Sequence, residues 1–116
     1  MSITIYHNPR CSKSRETLAL LESHHIQPTI ELYLQHNYDV ETLQSIADKL
    51  GITDIRQMMR TKDELYKTLG LDNPSLTAQD LFNAIAQHSE LLERPIVVNG
   101  DKAKIGRPPE SVLSIL

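Results

Sequence analysis

Residues 2–34 read SITIYHNPRCSKSRETLALLESHHIQPTIELYL, and the changes of pattern along this stretch decide the fold. Residues 2–6 alternate polar with apolar side chains, which predicts a short strand. After a turn, residues 12–25 contain neither Gly nor Pro and repeat apolar side chains at helical spacing. The face expected to be buried consists of Leu18, Leu20, Leu21 and His25. Residues 29–34 alternate again, so the stretch predicts a strand–helix–strand unit whose helix covers one face of a sheet.

The middle of the chain is predicted to be helical. Three of its four helical segments begin with side chains that suit the capping of a first turn. The segments are residues 39–51, with Asp39 as N-cap and Gly51 as stop, a turn over residues 54–59, residues 61–70, with Thr61 and Glu64 spaced as a capping box, and the helix that Thr77 and Asp80 cap. These segments form a helical insertion between the first and second halves of the predicted sheet.

The end of the chain predicts a hairpin and a last short helix. Residues 96–98 are apolar, and Asn-Gly at 99–100 is a strong signal for a two-residue turn into a second strand over residues 102–105. Residues 110–116 follow a proline in first-turn position and are expected to be helical. The order and the length predict an α/β, thioredoxin-like fold, in which a small mixed four-stranded sheet is flanked by helices.

The composition is that of an ordinary globular protein. Of 116 residues, 40% are hydrophobic and 23% are charged, so disorder and repeat architectures are not expected. We expect a single domain over residues 1–116. The net charge of -3 gives no reason to expect nucleic-acid binding. Because no apolar run has membrane-spanning length and the start lacks a signal-peptide pattern, we expect a cytoplasmic protein without membrane contact.

The sequence contains one cysteine, Cys11, which excludes an intrachain disulfide. Cys11 opens the first predicted helix, where the helix dipole and free backbone N–H groups stabilise a thiolate, and Arg10, Lys13 and Arg15 add positive charge. These surroundings favour a reactive thiolate; the alternative is a buried structural cysteine at a helix start. His7 is a candidate catalytic residue that lowers the pKa of the thiol or exchanges protons with it. Its alternative is a turn histidine bonded to the backbone.

Three arginines stand at positions where the predicted backbone is constrained. Arg60 precedes the expected cap of a helix, Arg94 precedes Pro95 before an apolar strand, and Arg107 precedes Pro108 before the last helix. A guanidinium group binds a tetrahedral oxyanion through paired hydrogen bonds. Three of them beside one thiolate would hold an anionic substrate for attack. Singly, each arginine is more often a solvated surface charge, and the sequence leaves both interpretations open.

Two other kinds of site are not expected. A zinc site built on His7 and Cys11 would need two more ligands, and the remaining histidines show no suitable spacing. A glycine-rich phosphate loop would need closely spaced glycines, and the four glycines of this chain lie far apart. We therefore predict that the site holds no metal.

Residues 6–15 (YHNPRCSKSR), 94–97 (RPIV) and 105–109 (IGRPP) carry a resemblance to the glutaredoxin-coupled arsenate reductase (ArsC) family, and it extends over essentially the whole chain. The resemblance implies a thioredoxin-like fold. It also implies a reaction in which a cysteine attacks arsenate or a similar oxyanion, glutathione releases arsenite from the adduct, and glutaredoxin reduces the resulting mixed disulfide. Glutathione would be a co-substrate, and no bound cofactor is implied.

The same resemblance implies roles for single residues. Cys11 would be the nucleophile, and the peptide bond before Pro95 would be cis. The three guanidinium groups would hold the oxyanion, and two polar residues beside the cysteine are also predicted to bind it. These substrate-binding residues are Arg60, Arg94, Arg107, Asn8 and Ser14.

A second interpretation on the same fold is a regulatory protein. The chain is similar to the Spx-type transcription regulators, which contact RNA polymerase. Those regulators typically carry a CxxC switch and lack the arginine of the Gly-Arg-Pro segment. Here Ser14 stands at the second cysteine position and Arg107 is present, and both features favour the enzyme.

Overall fold

A mixed sheet of four strands lies at the centre of the computed structural model, which describes residues 2–116. The strands are β1 (Ile3–Tyr6), β2 (Thr29–Glu31), β3 (Ile96–Asn99) and β4 (Lys102–Ile105). Their order across the sheet is β2-β1-β3-β4, with β1 parallel to β2 and the other neighbours antiparallel. The parallel pair needs a crossover, which α1 (Ser12–Ser23) supplies. The predicted thioredoxin-like arrangement of a mixed sheet flanked by helices is confirmed.

The remaining helices are of two kinds. The α-helices that follow α1 are α2 (Val40–Leu50), α3 (Glu64–Thr68) and α4 (Ala78–Gln87). The 3-10 helices cover Tyr33–Gln35, Ile55–Met58, Ser89–Leu91 and Pro109–Ile115. Asp39 accepts a hydrogen bond from the Thr42 N–H at 2.8 Å, and Thr77 forms a capping box with Asp80, so the predicted starts of α2 and α4 are confirmed. Among residues 2–116, no helix combines the length and the apolar character needed to cross a membrane.

The start of α3 differs from the prediction. Its N-cap is Asp63, whose carboxylate accepts a hydrogen bond from the Leu65 N–H at 2.9 Å, and the expected capping box of Thr61 with Glu64 does not form. Aspartate is at least as good an N-cap as threonine, so the later side chain caps the helix. The Asp63 N–H also closes a turn onto the Arg60 carbonyl at 3.1 Å. Arg60 therefore lies a turn before the helix and not directly at its N-terminus.

Three other element ends were predicted incorrectly. β2 stops at Glu31 and not at Leu34, because the chain turns there into a 3-10 helix. α1 ends at Ser23, so His25 is exposed and takes a positive φ of 62°, although it was expected on the buried face. The last helix is a 3-10 helix that already begins at Pro109.

The β3–β4 hairpin is confirmed, with its turn one residue later than expected. Gly100, at φ 64°, and Asp101 form the turn, while Asn99 remains in β3 and pairs with Lys102. The buried Asn99 side chain donates a hydrogen bond to the Ile115 carbonyl at 2.6 Å. This contact with the last helix keeps Asn99 inside the strand.

Hydrophobic clusters lie on both faces of the sheet. Ile5 and Val97 pack with Leu21 of α1 and with the last helix. Their strand neighbours Tyr6 and Ile96 contact the larger cluster, to which α2 and α4 contribute. The two central strands therefore pack against hydrophobic clusters on both sides.

Candidate active site

The strand register brings three predicted segments to one end of the sheet. Tyr6, the last residue of β1, pairs with Ile96, the first residue of β3, and Ile96 pairs with Ile105, the last residue of β4. The turn that carries Cys11, the segment before β3 and the segment after β4 therefore lie side by side. Residues far apart in the sequence meet there because the strands between them are paired.

Cys11 is the N-cap residue of α1, with an extended backbone (φ −92°, ψ 124°). Its N–H donates to the Asn8 carbonyl at 3.0 Å, and its carbonyl accepts the first helical hydrogen bond from Arg15, also at 3.0 Å. The thiol is partly exposed and makes no capping hydrogen bond. A partly exposed thiol at a helix start does not fit the alternative of a buried structural cysteine.

The Cys11 sulfur lies among positive charges and backbone donors. Arg107 Nη2 approaches Sγ at 3.5 Å. Burial by itself raises the pKa of the thiol, but the N–H of Ser14, the charge of Arg94, the N–H of Lys13 and the charge of Arg107 together lower this pKa. The helix start thus lowers the pKa of the thiol, as the sequence predicted, but the charges that act on it are those of Arg94 and Arg107 and not those of Arg10, Lys13 and Arg15.

The three predicted arginines line one cleft of about 610 Å³. The other residues along it are Thr61, Lys62, Asp63, Glu64 and Glu93. Arg60 is held by its own backbone, whose N–H donates to the Leu91 carbonyl at 2.8 Å, and its guanidinium pairs with Asp63 at 3.2 Å. The structure therefore brings Arg60, Arg94 and Arg107 together, although their role as oxyanion ligands stays a prediction.

The open end of the hairpin fixes Arg94 and Arg107 relative to each other. The Gly106 N–H donates to the Pro95 carbonyl at 2.9 Å, and Arg107 Nε donates to the Arg94 carbonyl at 2.8 Å. Gly106 permits this close approach to Pro95, since a Cβ at position 106 would lie 2.8 Å from Pro95 Cγ and 2.5 Å from Thr17 Oγ1. The Arg94–Pro95 peptide bond is cis, as the resemblance implied, and so is the bond after Arg107, which was not predicted.

His7, Asn8 and Ser14 form a hydrogen-bonded group next to the Cys11 turn. The buried Ser14 hydroxyl accepts from the Asn8 N–H at 3.0 Å and lies 2.6 Å from His7 Nδ1. Burial, and then the charge of Arg15, lower the pKa of His7, so its ring is neutral near pH 7 and can accept the hydroxyl proton at Nδ1. This contact supports the Cys11 turn. The catalytic role of His7 and the substrate-binding roles of Asn8 and Ser14 stay predictions.

Sequence reasoning missed two residues of this region. Tyr33 is 1% exposed, and its hydroxyl has no well-formed hydrogen bond among the described residues, although the Asn8 side chain lies close to it. Burial raises the pKa of the Tyr33 phenol against the opposing charge of Arg94. Glu93 places Oε1 3.1 Å from Arg94 Nη1 and 3.3 Å from Arg107 Nε. Tyr33 lies within the alternating stretch over residues 29–34 and Glu93 within a charged one, so neither residue type marks the site.

The donors around the sulfur suit an anion. Guanidinium groups and backbone N–H groups bind oxyanions and offer a metal ion no ligand. Across residues 2–116, no three His, Cys, Asp or Glu side chains gather as metal ligands would. The arrangement can hold a tetrahedral oxyanion against a nucleophilic thiolate.

Comparison with known proteins identifies the family. Residues 6–115 match the family model described as the ArsC family. The chain belongs to the ArsC family. Among its ArsC relatives, a Haemophilus influenzae protein named arsenate reductase is 73% identical over 116 residues, with 100% of both chains covered. An Escherichia coli K12 protein named uncharacterized protein YfgD is 49% identical over 114 residues, which cover 98% of this chain and 96% of that one.

The ArsC chain also resembles solved structures over its whole length. The structure of an arsenate reductase from Vibrio cholerae superposes with a TM-score of 0.98 at 53% sequence identity, covering 100% of this chain and 98% of the other. The likeness therefore extends to the sheet, to the helical insertion between its halves and to the Cys11 and arginine segments.

Proposed function

We propose that this ArsC-family protein is an arsenate reductase whose nucleophile is Cys11. The observation that carries the proposal is the approach of Arg107 to the Cys11 sulfur at 3.5 Å, because Arg107 also lines the cleft with Arg60 and Arg94. A relative named arsenate reductase at 73% identity supports the same activity. Arsenate, or a similar oxyanion, is bound by the three arginines next to the thiolate.

In the first step, the Cys11 thiolate attacks arsenic. A sulfur–arsenic bond forms, and one arsenate oxygen takes up protons and leaves as water. Thiolate and arsenate are both negative and repel each other in water. The guanidinium groups of Arg94 and Arg107 offset this repulsion and stabilise the charge on the arsenate oxygens while the bond forms.

In the second step, the thiol of glutathione attacks the adduct. A disulfide forms between glutathione and Cys11 as the sulfur–arsenic bond breaks, and the electron pair of that bond stays on arsenic, which leaves as arsenite. Two thiols thus supply the two electrons that reduce As(V) to As(III). Since Cys11 is the single cysteine, the mixed disulfide needs an external reductant, and we assign this step to glutaredoxin.

The proposal is tested by arsenite production from arsenate with glutathione and glutaredoxin supplied. Cys11→Ser should abolish the activity above background. Alkylation of the wild-type protein with iodoacetamide should do the same, because Cys11 is the only thiol to react. Full activity in either preparation would refute the assignment of the nucleophile. Absence of activity in the wild-type protein, together with capture of RNA polymerase, would favour the regulatory interpretation.

A further inference from the structure

Glu93 places a carboxylate between Arg94 and Arg107. Its Oε1 lies 3.1 Å from Arg94 Nη1 and 3.3 Å from Arg107 Nε, and it accepts a hydrogen bond from the Arg94 backbone N–H at 3.2 Å. One carboxylate oxygen therefore faces three donor groups. Two of them belong to the guanidinium groups that an oxyanion would also need.

The side chains of Glu93, Arg94 and Arg107 are partly buried, so the Glu93 charge acts strongly on the two guanidinium groups. The exposed fractions are 18% for Arg94, 24% for Glu93 and 34% for Arg107. Solvent screens charges at this depth less than it screens fully exposed ones. Arsenate, phosphate and sulfate all carry the same sign as Glu93. The carboxylate therefore lowers the positive potential of the cleft and repels a second anion at the same donors.

Glu93 does not satisfy every hydrogen-bond donor of the Arg94 guanidinium. Its Nε is buried and has no hydrogen-bond partner among the described residues. A buried donor without an acceptor is unfavourable, because its lost contact with water is not replaced. The Arg94 guanidinium therefore does not make its full set of hydrogen bonds to the protein.

We propose that Glu93 is an internal carboxylate that competes with oxyanions for Arg94 and Arg107 and weakens their binding. This inference rests on the proposed function, since it concerns the same oxyanion site. Weaker binding applies to every tetrahedral oxyanion.

The opposite role for Glu93 predicts an opposite sign. If the carboxylate served only to hold the two guanidinium groups in a binding geometry, its removal would loosen them and weaken oxyanion binding. If it competes, its removal strengthens binding. The sign of the change in sulfate affinity therefore separates competition from positioning.

The test measures sulfate binding by titration calorimetry at fixed ionic strength. Glu93→Gln and Glu93→Ser both remove the charge, and two variants guard against the misfolding of one. Both should bind sulfate about three- to tenfold more tightly than the wild-type protein. Glu64→Gln is the matched control, because Glu64 lines the same cleft but forms no ion pair with Arg94 or Arg107 within residues 2–116. Its gain should be smaller.

The remaining outcomes overturn the inference. Unchanged or weaker sulfate binding in the Glu93 variants, an equal gain in Glu64→Gln, or no sulfate binding by any form would each do so. Arsenite production by the wild-type protein is measured separately. Tighter sulfate binding without arsenite production would refute the proposed function and leave the role of Glu93 standing. The reverse pair of results would refute only the role of Glu93.

Discussion

Tyr33 and Tyr66 are both buried, but only the Tyr66 hydroxyl has a well-formed hydrogen bond within residues 2–116. Tyr66 accepts from Arg56 Nε at 3.1 Å, whereas the Tyr33 hydroxyl has no partner in hydrogen-bonding geometry. Removal of a buried hydroxyl costs stability mainly when a partner is left unsatisfied. Tyr33→Phe should therefore leave the free energy of unfolding within about 0.5 kcal/mol of the wild-type value or raise it.

Tyr66→Phe serves as the matched control for this prediction. It removes the hydrogen bond from Arg56 Nε to the hydroxyl, although this donor keeps the Leu71 carbonyl at 3.1 Å, so it should lower the free energy of unfolding by about 0.5–1.5 kcal/mol. Urea denaturation of both variants measures the difference. An equal loss at Tyr33 would contradict the prediction and indicate that its hydroxyl has a partner in solution, such as Asn8.

Some residues of the candidate site could be predicted from the sequence and others could not. Cys11 was recognisable because a lone thiol at a helix start among cations is unusual, and Arg94 and Arg107 because each precedes a proline at a strand or helix boundary. Tyr33 and Glu93 carry no such local mark. Their importance comes from contacts across the fold, which neither residue type nor spacing expresses.

At the scale of elements, Gly106 fits the end of β4 closely against α1. A Cβ at this position would lie 2.5 Å from Thr17 Oγ1 and 2.8 Å from Pro95 Cγ, so Gly106→Ala forces these segments apart. Overpacking of this kind costs about 1–3 kcal/mol. Because Arg107 is the next residue, the variant should also weaken sulfate binding. Urea denaturation and calorimetry measure the two effects.

A second substitution tests whether the contact with α1 causes the loss. Thr17→Ala removes both side-chain atoms of Thr17 that a new Cβ would meet. In the Thr17→Ala background, Gly106→Ala should therefore cost less stability than it costs in the wild-type protein. Strictly additive losses would show that the crowding lies elsewhere.

Element ends were the part of the secondary structure that the sequence predicted least well. Thr61 and Asp63 both suit an N-cap, and local pattern does not decide between them; the structure uses Asp63. The hairpin turn lies one residue later than predicted, because the Asn99 side chain donates a hydrogen bond to the carbonyl of Ile115 in the last helix. Two causes set these boundaries: neighbouring side chains compete to cap a helix, and distant elements contact each other. Both causes depend on the folded structure.

At the scale of the whole molecule, stability should depend on pH through His7. Burial, with a further effect from Arg15, lowers the pKa of His7 below its usual value of 6.5. Between pH 6.5 and the lower pKa of the folded protein, the unfolded chain binds a proton at His7 that the folded protein does not bind. The free energy of unfolding should therefore fall as the pH is lowered through this range, by at most about 1.4 kcal/mol per pH unit from this group.

Urea denaturation between about pH 7.5 and pH 5 checks the contribution of His7. His7→Gln should show a shallower loss of stability with falling pH than the wild-type protein. Ser14→Ala is the control, since it removes the partner of Nδ1 but keeps the imidazole, and it should retain a pH dependence. Identical slopes in His7→Gln and the wild-type protein would contradict the assignment.

The fold as a whole was largely predictable because its signals are local and repeated. Alternation marked the strands, caps marked α2 and α4, and the Asn-Gly pair at residues 99–100 marked the hairpin. The convergence of Arg60 with Arg94 and Arg107 was not predictable on the same basis. It depends on the packing of the helical insertion against the sheet, where Met59 forms an isolated bridge with Leu92.

The turn of the β3–β4 hairpin lies at the opposite end of the two strands from Arg94 and Arg107. Its ladder runs from the Ile96–Ile105 pair beside the arginines to the Asn99–Lys102 pair beside Gly100 and Asp101. Each strand residue advances the chain by about 3.3 Å, so the turn lies roughly 10 Å or more from the guanidinium end. The turn is therefore the place to insert a fluorescent label or an epitope tag, which would make the protein traceable without altering the nucleophile's surroundings.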